Sequence, residues 1–234
     1  MTKPWETSPA TIDFDRAAPG YTSTVLRAPR QGLLRAPEGT LELAAPRFDK
    51  SVLFSSHDDL TKQSAGGEAQ GERIIVEGCL RDREGEPIRN AFIEIWQCNA
   101  AGRYDHDRDQ HDAPLDPNFT GNGRVFTDEN GNYRFTTIKP GAYPWKNHAN
   151  AWRPAHIHFS VHGNNVLQRL VTQMYFPNDP LLGYDTIFGA LPSDKVRERL
   201  VSSFELSITQ PEWALGYRFD ITLDGPEATP AQPD

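Results

Sequence analysis

Hydrophobic and polar residues alternate most regularly in the segment AHIHFSVHG, residues 155–163. Side chains of an extended strand point alternately to opposite faces, so Ile157, Phe159 and Val161 share one face. The pattern predicts a strand whose apolar face lies in a protein core and whose other face carries a row of imidazoles. The residues of that polar face are His156, His158, Ser160 and His162.

Short strands bounded by turn residues make up most of the remaining pattern between residues 73 and 223. Asn130-Gly131 is a strong two-residue turn signal, so residues 123–138 are predicted to form a hairpin. One short helix is predicted within residues 191–204, where Ser193 is a suitable N-cap. Many short strands with almost no helix predict an all-β fold, a β-sandwich. The other predicted strands are residues 73–81, 91–97, 168–176 and 217–223.

The chain divides into three parts by composition. Prolines recur too often in residues 1–70 for long helices or central strands, so this part is predicted to be an irregular arm at a subunit interface. Residues 71–225 hold the predicted sandwich, and residues 226–234 are expected to form a loose C-terminal tail. Two long polar loops interrupt the sandwich, at residues 98–123 and 139–154, and loops of that length are often functional.

Composition disfavours several classes of function. The formal net charge of -8 over 234 residues argues against nucleic acid or an anionic membrane as a partner. No run of about 18 apolar residues predicts a membrane span, and the N-terminus does not resemble a signal peptide. Cys79 and Cys98 do not form a CxxC unit, so reduced thiols in a cytoplasmic protein are expected.

The histidine face of residues 155–163 is the first candidate for chemistry. His156 and His158 are about 7 Å apart at their Cα atoms, because a strand rises about 3.3 Å per residue, and that spacing suits two ligands of one metal ion. A solvent-facing strand that happens to contain histidines is the alternative, and the motif alone favours it. A metal site needs further ligands, and the candidates are His106, His111, His148, nearby aspartates and tyrosines.

Tyr104 and Tyr143 lie in the two long polar loops, outside any core pattern. A phenol has a pKa near 10, so its ligation as phenolate at neutral pH requires a strongly Lewis-acidic ion such as Fe(III). Zinc more often takes Cys, His or carboxylate ligands. Each tyrosine taken singly is also typical of an amphipathic surface residue. Arg153 precedes the histidine strand and is suited either to stabilising charge on a substrate or to pairing with a surface acid.

Six motifs occur in the order GERIIVEG, EIWQCNAAGRY, APLDPNF, GRVFTDENGNYRFTTIKPGAYPW, WRPAHIHFSV and DITLDG. Together they resemble the intradiol ring-cleavage dioxygenase family, and within it the iron-bearing chain of the two-chain members. The resemblance extends over residues 18–225 and implies a β-sandwich fold. It also implies a non-haem Fe(III) bound by two tyrosinates and two histidines, which are Tyr104, Tyr143, His156 and His158.

The same resemblance implies roles for residues around the iron. Tyr143 is implied as the ligand that leaves when substrate binds and then acts as a general base. Arg153 is implied as the group that stabilises negative charge on the substrate. The substrate-binding residues that the resemblance implies are Tyr21, Trp145, Gln173 and Ile187.

The implied activity is cleavage of protocatechuate (3,4-dihydroxybenzoate) with O2 to 3-carboxy-cis,cis-muconate, in an assembly with a homologous α chain. Catechol or hydroxyquinol is the alternative substrate, although the proline-rich N-terminus does not resemble the helical dimerisation segment of those enzymes. Two remoter hypotheses are a non-enzymatic β-sandwich binding module and a zinc hydrolase that uses His156, His158 and a carboxylate. Tyr104 and Tyr143 favour the dioxygenase, because neither remoter hypothesis needs two loop phenols.

Overall fold

Two β-sheets face each other across one hydrophobic core in the computed structural model, which describes residues 57–145, 152–163 and 169–232. The predicted β-sandwich is therefore confirmed. Tyr21 and His148, two of the candidate site residues, lie outside the described residues. Within the described ranges, no helix has the length and apolarity needed to cross a bilayer.

The first sheet is built around one long central strand. It contains β1 (Arg73–Arg81), β4 (Asn132–Ile138), β9 (Ser203–Phe204), β10 (Leu215–Arg218) and β11 (Ile221–Thr222). β4 pairs antiparallel with β1 along one edge. β10 and β11 follow one another in parallel along the other edge, and β9 pairs with β10.

The second sheet carries the histidine strand. Its order is β3 (Asn122–Phe126), β2 (Phe92–Trp96), β7 (His156–His162) and β8 (Arg169–Tyr175), and every neighbouring pair is antiparallel. Two further strands, β5 (Tyr143–Pro144) and β6 (Trp152–Arg153), form a separate two-stranded ladder. The helical segments described are the 3-10 turns Leu60–Lys62 and Leu182–Tyr184 and the α-helices α1 (Thr186–Gly189) and α2 (Asp194–Glu198).

The apolar face of β7 supplies the centre of the core, as the alternation predicts. Ile157, Phe159 and Val161 are fully buried. The ring centroid of Phe159 lies 5.9 Å from that of Phe135 and 5.3 Å from that of Phe219, and these contacts join the two sheets. Burial of each such side chain contributes about 1.5–3 kcal/mol to the stability of the fold. A shift of one residue in register would move all of them to the opposite face of the sheet, so it is strongly disfavoured. The core thereby also determines the face on which the histidines lie.

The prediction of a hairpin over residues 123–138 is wrong, because its two arms belong to different sheets: β3 pairs with β2, and β4 pairs with β1. The turn itself forms where expected, since Gly131 has a φ of 76° and its amide donates to Asp128 O at 3.0 Å. The Asp128 carboxylate accepts from the amides of Asn130 and Asn132, at 2.8 Å each. A turn closed by a side chain does not require a ladder between its arms.

The predicted closing strand over residues 217–223 is divided into β10 and β11 at Phe219 and Asp220. The Asp220 carboxylate accepts a hydrogen bond from the amide of Cys79 in β1 at 2.8 Å. A side chain thus takes the place of a ladder acceptor at this point, and the parallel pairing with β1 resumes beyond it. Cys79 and Cys98 are both free and buried.

The structure has more helical turns than the sequence predicts. The predicted helix forms as α2, with Ser193 as its N-cap. α1 forms where the sequence predicts no helix, because the Asp185 carboxylate accepts from the amide of Ile187 at 3.1 Å and so caps a single turn. Of the predicted N-terminal arm, residues 57–70 are described, and Leu60 in its 3-10 turn is fully buried in the core.

Residues 226–232 differ from the expected loose tail, because they are hydrogen-bonded to the sandwich. The backbone of Thr229 bonds to Thr222, and the amide of Gln232 donates to Val171 O at 2.7 Å. The segment has no periodic pattern of apolar residues, and for this reason its sequence predicts a tail that does not pack on the sandwich. Almost any sequence can nevertheless dock through its backbone, because every residue has a carbonyl acceptor and every residue except proline has an amide donor.

Candidate metal centre and substrate pocket

The loops that carry Tyr104 and Tyr143 cross each other at glycine residues. A Cβ on Gly102, whose φ is +78°, would lie 2.3 Å from Ala142 O, and a Cβ on Gly141 would lie 2.5 Å from a backbone oxygen of the other loop. Only glycine permits so close an approach of two backbones. As a result, two tyrosines distant in sequence have ring centroids 5.4 Å apart.

The β5–β6 ladder connects these tyrosines to the histidine strand. Tyr143 is the register partner of Arg153, which lies three residues before His156. The ring centroids of His156 and His158 are 4.8 Å apart, and the Tyr143 centroid lies 5.5 Å from that of His156. The ring centroids of Tyr104 and His158 are 6.5 Å apart. The four ligand candidates therefore form one cluster at the start of β7.

Hydrogen bonds at Nδ1 determine the tautomers of the two histidines. His156 Nδ1 lies 2.7 Å from Pro154 O, and a carbonyl oxygen can only accept, so Nδ1 carries the proton. His158 Nδ1 lies 3.2 Å from the side-chain oxygen of Gln232 and donates to it in the same way. Both Nε2 atoms thus keep a lone pair for a ligand, and that of His156 lies 3.4 Å from the Tyr143 hydroxyl.

Burial keeps all four side chains neutral when no cation is present. Burial, followed by the positive charge of Arg153, lowers the pKa of His158 to about 3, and the pKa of His156 is lowered well below its ordinary value by burial, Arg153 and His158. Burial likewise raises the pKa values of Tyr104 and Tyr143. Neutral imidazole is the form that binds metals, and a bound cation favours the phenolate.

The cluster fits a hard, strongly Lewis-acidic metal ion. The Tyr104 hydroxyl is buried and has no hydrogen-bond partner among the residues described, a deficit that a cation at this point would remove. Nowhere in the described ranges do three His, Cys, Asp or Glu side chains form a metal-binding group. A zinc hydrolase that uses His156, His158 and a carboxylate is therefore disfavoured, whereas phenolate ligands suit Fe(III).

Arg153 is buried beside the cluster and held by three acceptors. Its Nη2 donates to the Gln173 side-chain oxygen at 2.7 Å, to the Tyr175 hydroxyl at 2.8 Å and to the Asp185 carboxylate at 2.8 Å. Burial alone would lower the pKa of Arg153, but Tyr175, Tyr143 and Asp185 raise it above the ordinary value. The guanidinium is thus a fixed positive charge, and its Nη1 lies 3.3 Å from His156 Nε2.

Sequence reasoning missed two residues of this network, Tyr175 and Asp185. Tyr175 had a detectable signal, because it alternates with Gln173 on one face of β8 and is the register partner of His156. Asp185 had a weaker one, since an aspartate followed by Thr-Ile-Phe is compatible with an N-cap but indicates nothing about an arginine 32 positions earlier. Its role depends on a long-range contact.

A pocket of about 700 Å³ opens beside the tyrosines. Part of its wall is formed by Trp96, Tyr104, Tyr143 and Trp145, and loop residues between 105 and 112 form much of the rest. The Arg153 guanidinium lies 5.1 Å from the centroid of the Trp145 ring. Two predicted substrate-binding residues are buried away from this wall, namely Gln173 beside Arg153 and Ile187 in α1.

The metal-free protein is expected to lose stability as the pH falls below about 6.5, the ordinary imidazole pKa. The folded-state pKa values of His156 and His158 are lowered, so the unfolded chain binds more protons across this window. The free energy of unfolding therefore decreases as the pH falls, and the contribution is fully present only above that ordinary value. Urea unfolding at several pH values should give a steeper decline for the wild type than for His156→Gln/His158→Gln. Equal slopes would contradict buried, neutral imidazoles.

Known proteins resemble this chain over most of its length. The chain matches the family model described as Dioxygenase over residues 43–225. It is 52% identical over 229 residues to the protocatechuate 3,4-dioxygenase beta chain of Burkholderia cepacia, covering 97% of this chain and 95% of the relative. Identity to the alpha chain from the same organism is 29% over 185 residues, covering 78% and 84%. The solved 3-chlorocatechol 1,2-dioxygenase of Rhodococcus opacus 1CP aligns with a TM-score of 0.55 and 26% identity, covering 71% of this chain and 65% of that one.

Proposed function

Because the chain belongs to the intradiol dioxygenase family, we propose that it is the iron-bearing subunit of an enzyme that cleaves protocatechuate with O2 to 3-carboxy-cis,cis-muconate. The observation that carries the substrate assignment is the 52% identity, over nearly the whole length of both chains, to a relative named for that activity. Catechol and hydroxyquinol are the alternative substrates.

Tyr104, Tyr143, His156 and His158 are the proposed ligands of a non-haem Fe(III). The buried, unpartnered Tyr104 hydroxyl and the two neutral imidazoles support this set. When bound, Fe(III) withdraws electron density from a coordinated catecholate and makes a ring carbon reactive towards O2. The carboxylate-poor cluster offers no comparable site for zinc within the part of the chain that the structure describes.

Two residues have proposed catalytic roles beside the metal. The Tyr143 phenolate accepts a proton from a substrate hydroxyl and so acts as a general base. Arg153 supplies a positive charge whose position is set before substrate arrives, and negative charge that develops on the substrate is stabilised there. Their pairing across the β5–β6 ladder supports both roles, because it holds the base and the cation side by side. Tyr21 and Trp145 are proposed to contact the substrate or shape its pocket. Gln173, which accepts a hydrogen bond from Arg153, and Ile187 are buried away from the pocket wall, so their proposed part is to support the residues that face the substrate.

A homologous α chain is the proposed partner of this subunit. The Burkholderia cepacia relatives have separate beta and alpha names, and this chain is far more similar to the beta chain than to the alpha chain. A second chain is proposed to complete the active site, in a hetero-oligomer. The cytoplasm is the proposed compartment, because free cysteines such as Cys79 and Cys98 are typical of reducing conditions.

Co-expression with a candidate α chain tests the proposed function. The purified assembly is expected to contain iron, to absorb visible light through tyrosinate-to-iron charge transfer, and to consume O2 faster with protocatechuate than with catechol or hydroxyquinol. Tyr104→Phe/Tyr143→Phe is the control, because it removes both phenolates and should abolish the visible absorption. Zinc in place of iron would indicate hydrolase chemistry, and a metal-free protein would favour a binding module.

A further inference from the structure

The C-terminal segment 226–232 ends beside one of the proposed iron ligands. Arg199 holds the start of this segment, because its Nη1 donates to Pro226 O at 3.1 Å and to Ala228 O at 3.0 Å. Further along, the Thr172 hydroxyl of β8 donates to Pro230 O at 2.7 Å. These bonds fix the path of the segment along β8 before it reaches Gln232.

The side chain of Gln232 points from this path to His158. Its Oε1 lies 3.2 Å from His158 Nδ1, which donates to it. His158 itself is 7% exposed, and its ring stacks on Trp96 with centroids 4.7 Å apart and an angle of 4°. Stacking fixes the plane of the imidazole, but a half-turn of the ring about its bond to Cβ leaves that plane unchanged and is still allowed. A directional acceptor at Nδ1 removes that freedom and selects the tautomer with a free Nε2.

The two proposed histidine ligands differ in how this acceptor is supplied. His156 uses the carbonyl of Pro154, two residues away, which is fixed by the local backbone. His158 uses a side chain 74 residues away, at the end of the described chain. The geometry of one ligand therefore depends on the docking of the C-terminal segment.

Groups other than the Gln232 side chain also hold the segment in place. The amide of Gln232 donates to Val171 O at 2.7 Å, and Thr229 is bonded to Thr222 through both its backbone and its hydroxyl. These contacts do not involve the glutamine side chain. The bond to His158 is thus an addition to a segment already anchored by other groups.

We propose that Gln232 is a positioning residue for iron binding, whose side-chain oxygen orients His158 and makes its Nε2 a better ligand. This inference rests on the proposed function, because it requires His158 to bind iron. Acceptors that bond to the second nitrogen of a ligating histidine typically change metal affinity about 10–100-fold when removed. We expect a change of that size at this position.

Gln232→Met and Gln232→Glu, each in the co-expressed assembly, form the matched pair that tests this. Methionine keeps the length of the side chain but removes the strong acceptor, whereas glutamate keeps an acceptor oxygen. Gln232→Met should release iron to a chelator about 10–100-fold faster than the wild type and shift the visible charge-transfer band. Gln232→Glu should restore both properties towards the wild type. Thermal unfolding of the iron-free proteins reports whether the segment stays docked.

The outcomes separate this inference from the proposed function. If the wild type binds no iron, the proposed function fails and this inference with it. If the wild type binds iron and Gln232→Met releases it at the same rate, only the role of Gln232 is overturned. Equally fast release from both variants would also overturn it, because the acceptor atom would then make no difference.

Discussion

Replacing His156 with alanine is expected to weaken iron binding by more than about 100-fold and to abolish oxygen uptake. That figure is the upper end of the range for losing an outer partner of a metal ligand, and loss of the ligand itself costs more. The purified variant should be iron-free by elemental analysis and should lack the visible tyrosinate band. An unchanged iron content would remove His156 from the ligand set and with it the proposed centre.

His162→Ala provides the matched control, because His162 lies on the same face of the same strand. Its Nε2 lies 3.1 Å from Ser160 Oγ and 3.4 Å from the Glu94 carboxylate, in surroundings separate from the tyrosines. This variant should keep its iron and its visible absorption. The comparison distinguishes loss of a ligand from loss of any histidine on this face of β7.

The alternation of residues predicts the strand that carries the histidines, but alternation does not distinguish among them, and only the family resemblance selects His156 and His158. Alternation places His156, His158 and His162 on one face with equal weight. The selection depends on what approaches the strand from elsewhere. Trp96 stacks on His158, and Tyr143 reaches His156 through the β5–β6 ladder, whereas His162 lies close to Phe92 and Glu94.

Contacts between distant parts of the chain account for what could not be predicted. Tyr104 and Tyr143 are visible as loop tyrosines, but their proximity depends on the glycine crossing, which has no periodic signal. Asp185 and Gln232 act on residues that precede them by 32 and 74 positions. The failed hairpin has the same origin, because a local turn signal does not specify which sheet each arm joins. Local pattern thus predicts the elements of the fold, and long-range packing determines the site.

Asp185→Ala is expected to destabilise the protein by about 3–5 kcal/mol and to lower turnover. The Arg153–Asp185 ion pair is 2.8 Å long, and both side chains are almost completely buried. Removing the carboxylate leaves the positive charge of Arg153 buried without its counter-charge. Breaking a buried ion pair by removing one partner is strongly destabilising for this reason. Urea unfolding and steady-state kinetics of the assembly measure the two effects. By comparison, Asp194→Ala breaks an exposed ion pair and should cost about 1 kcal/mol or less.

Asp185 also caps α1, so two further variants separate the lost charge from the lost cap. Asp185→Asn keeps an acceptor for the amide of Ile187 but removes the negative charge, and it should retain most of the destabilisation if the charge matters. Adding Arg153→Met to Asp185→Ala removes both charges and should recover part of the lost stability, because apolar replacement of a whole buried pair is often nearly neutral. Turnover should not recover, since the proposed electrostatic stabilisation of the substrate resides in Arg153. Recovery of turnover in the double variant would show that the guanidinium serves the fold and not the reaction.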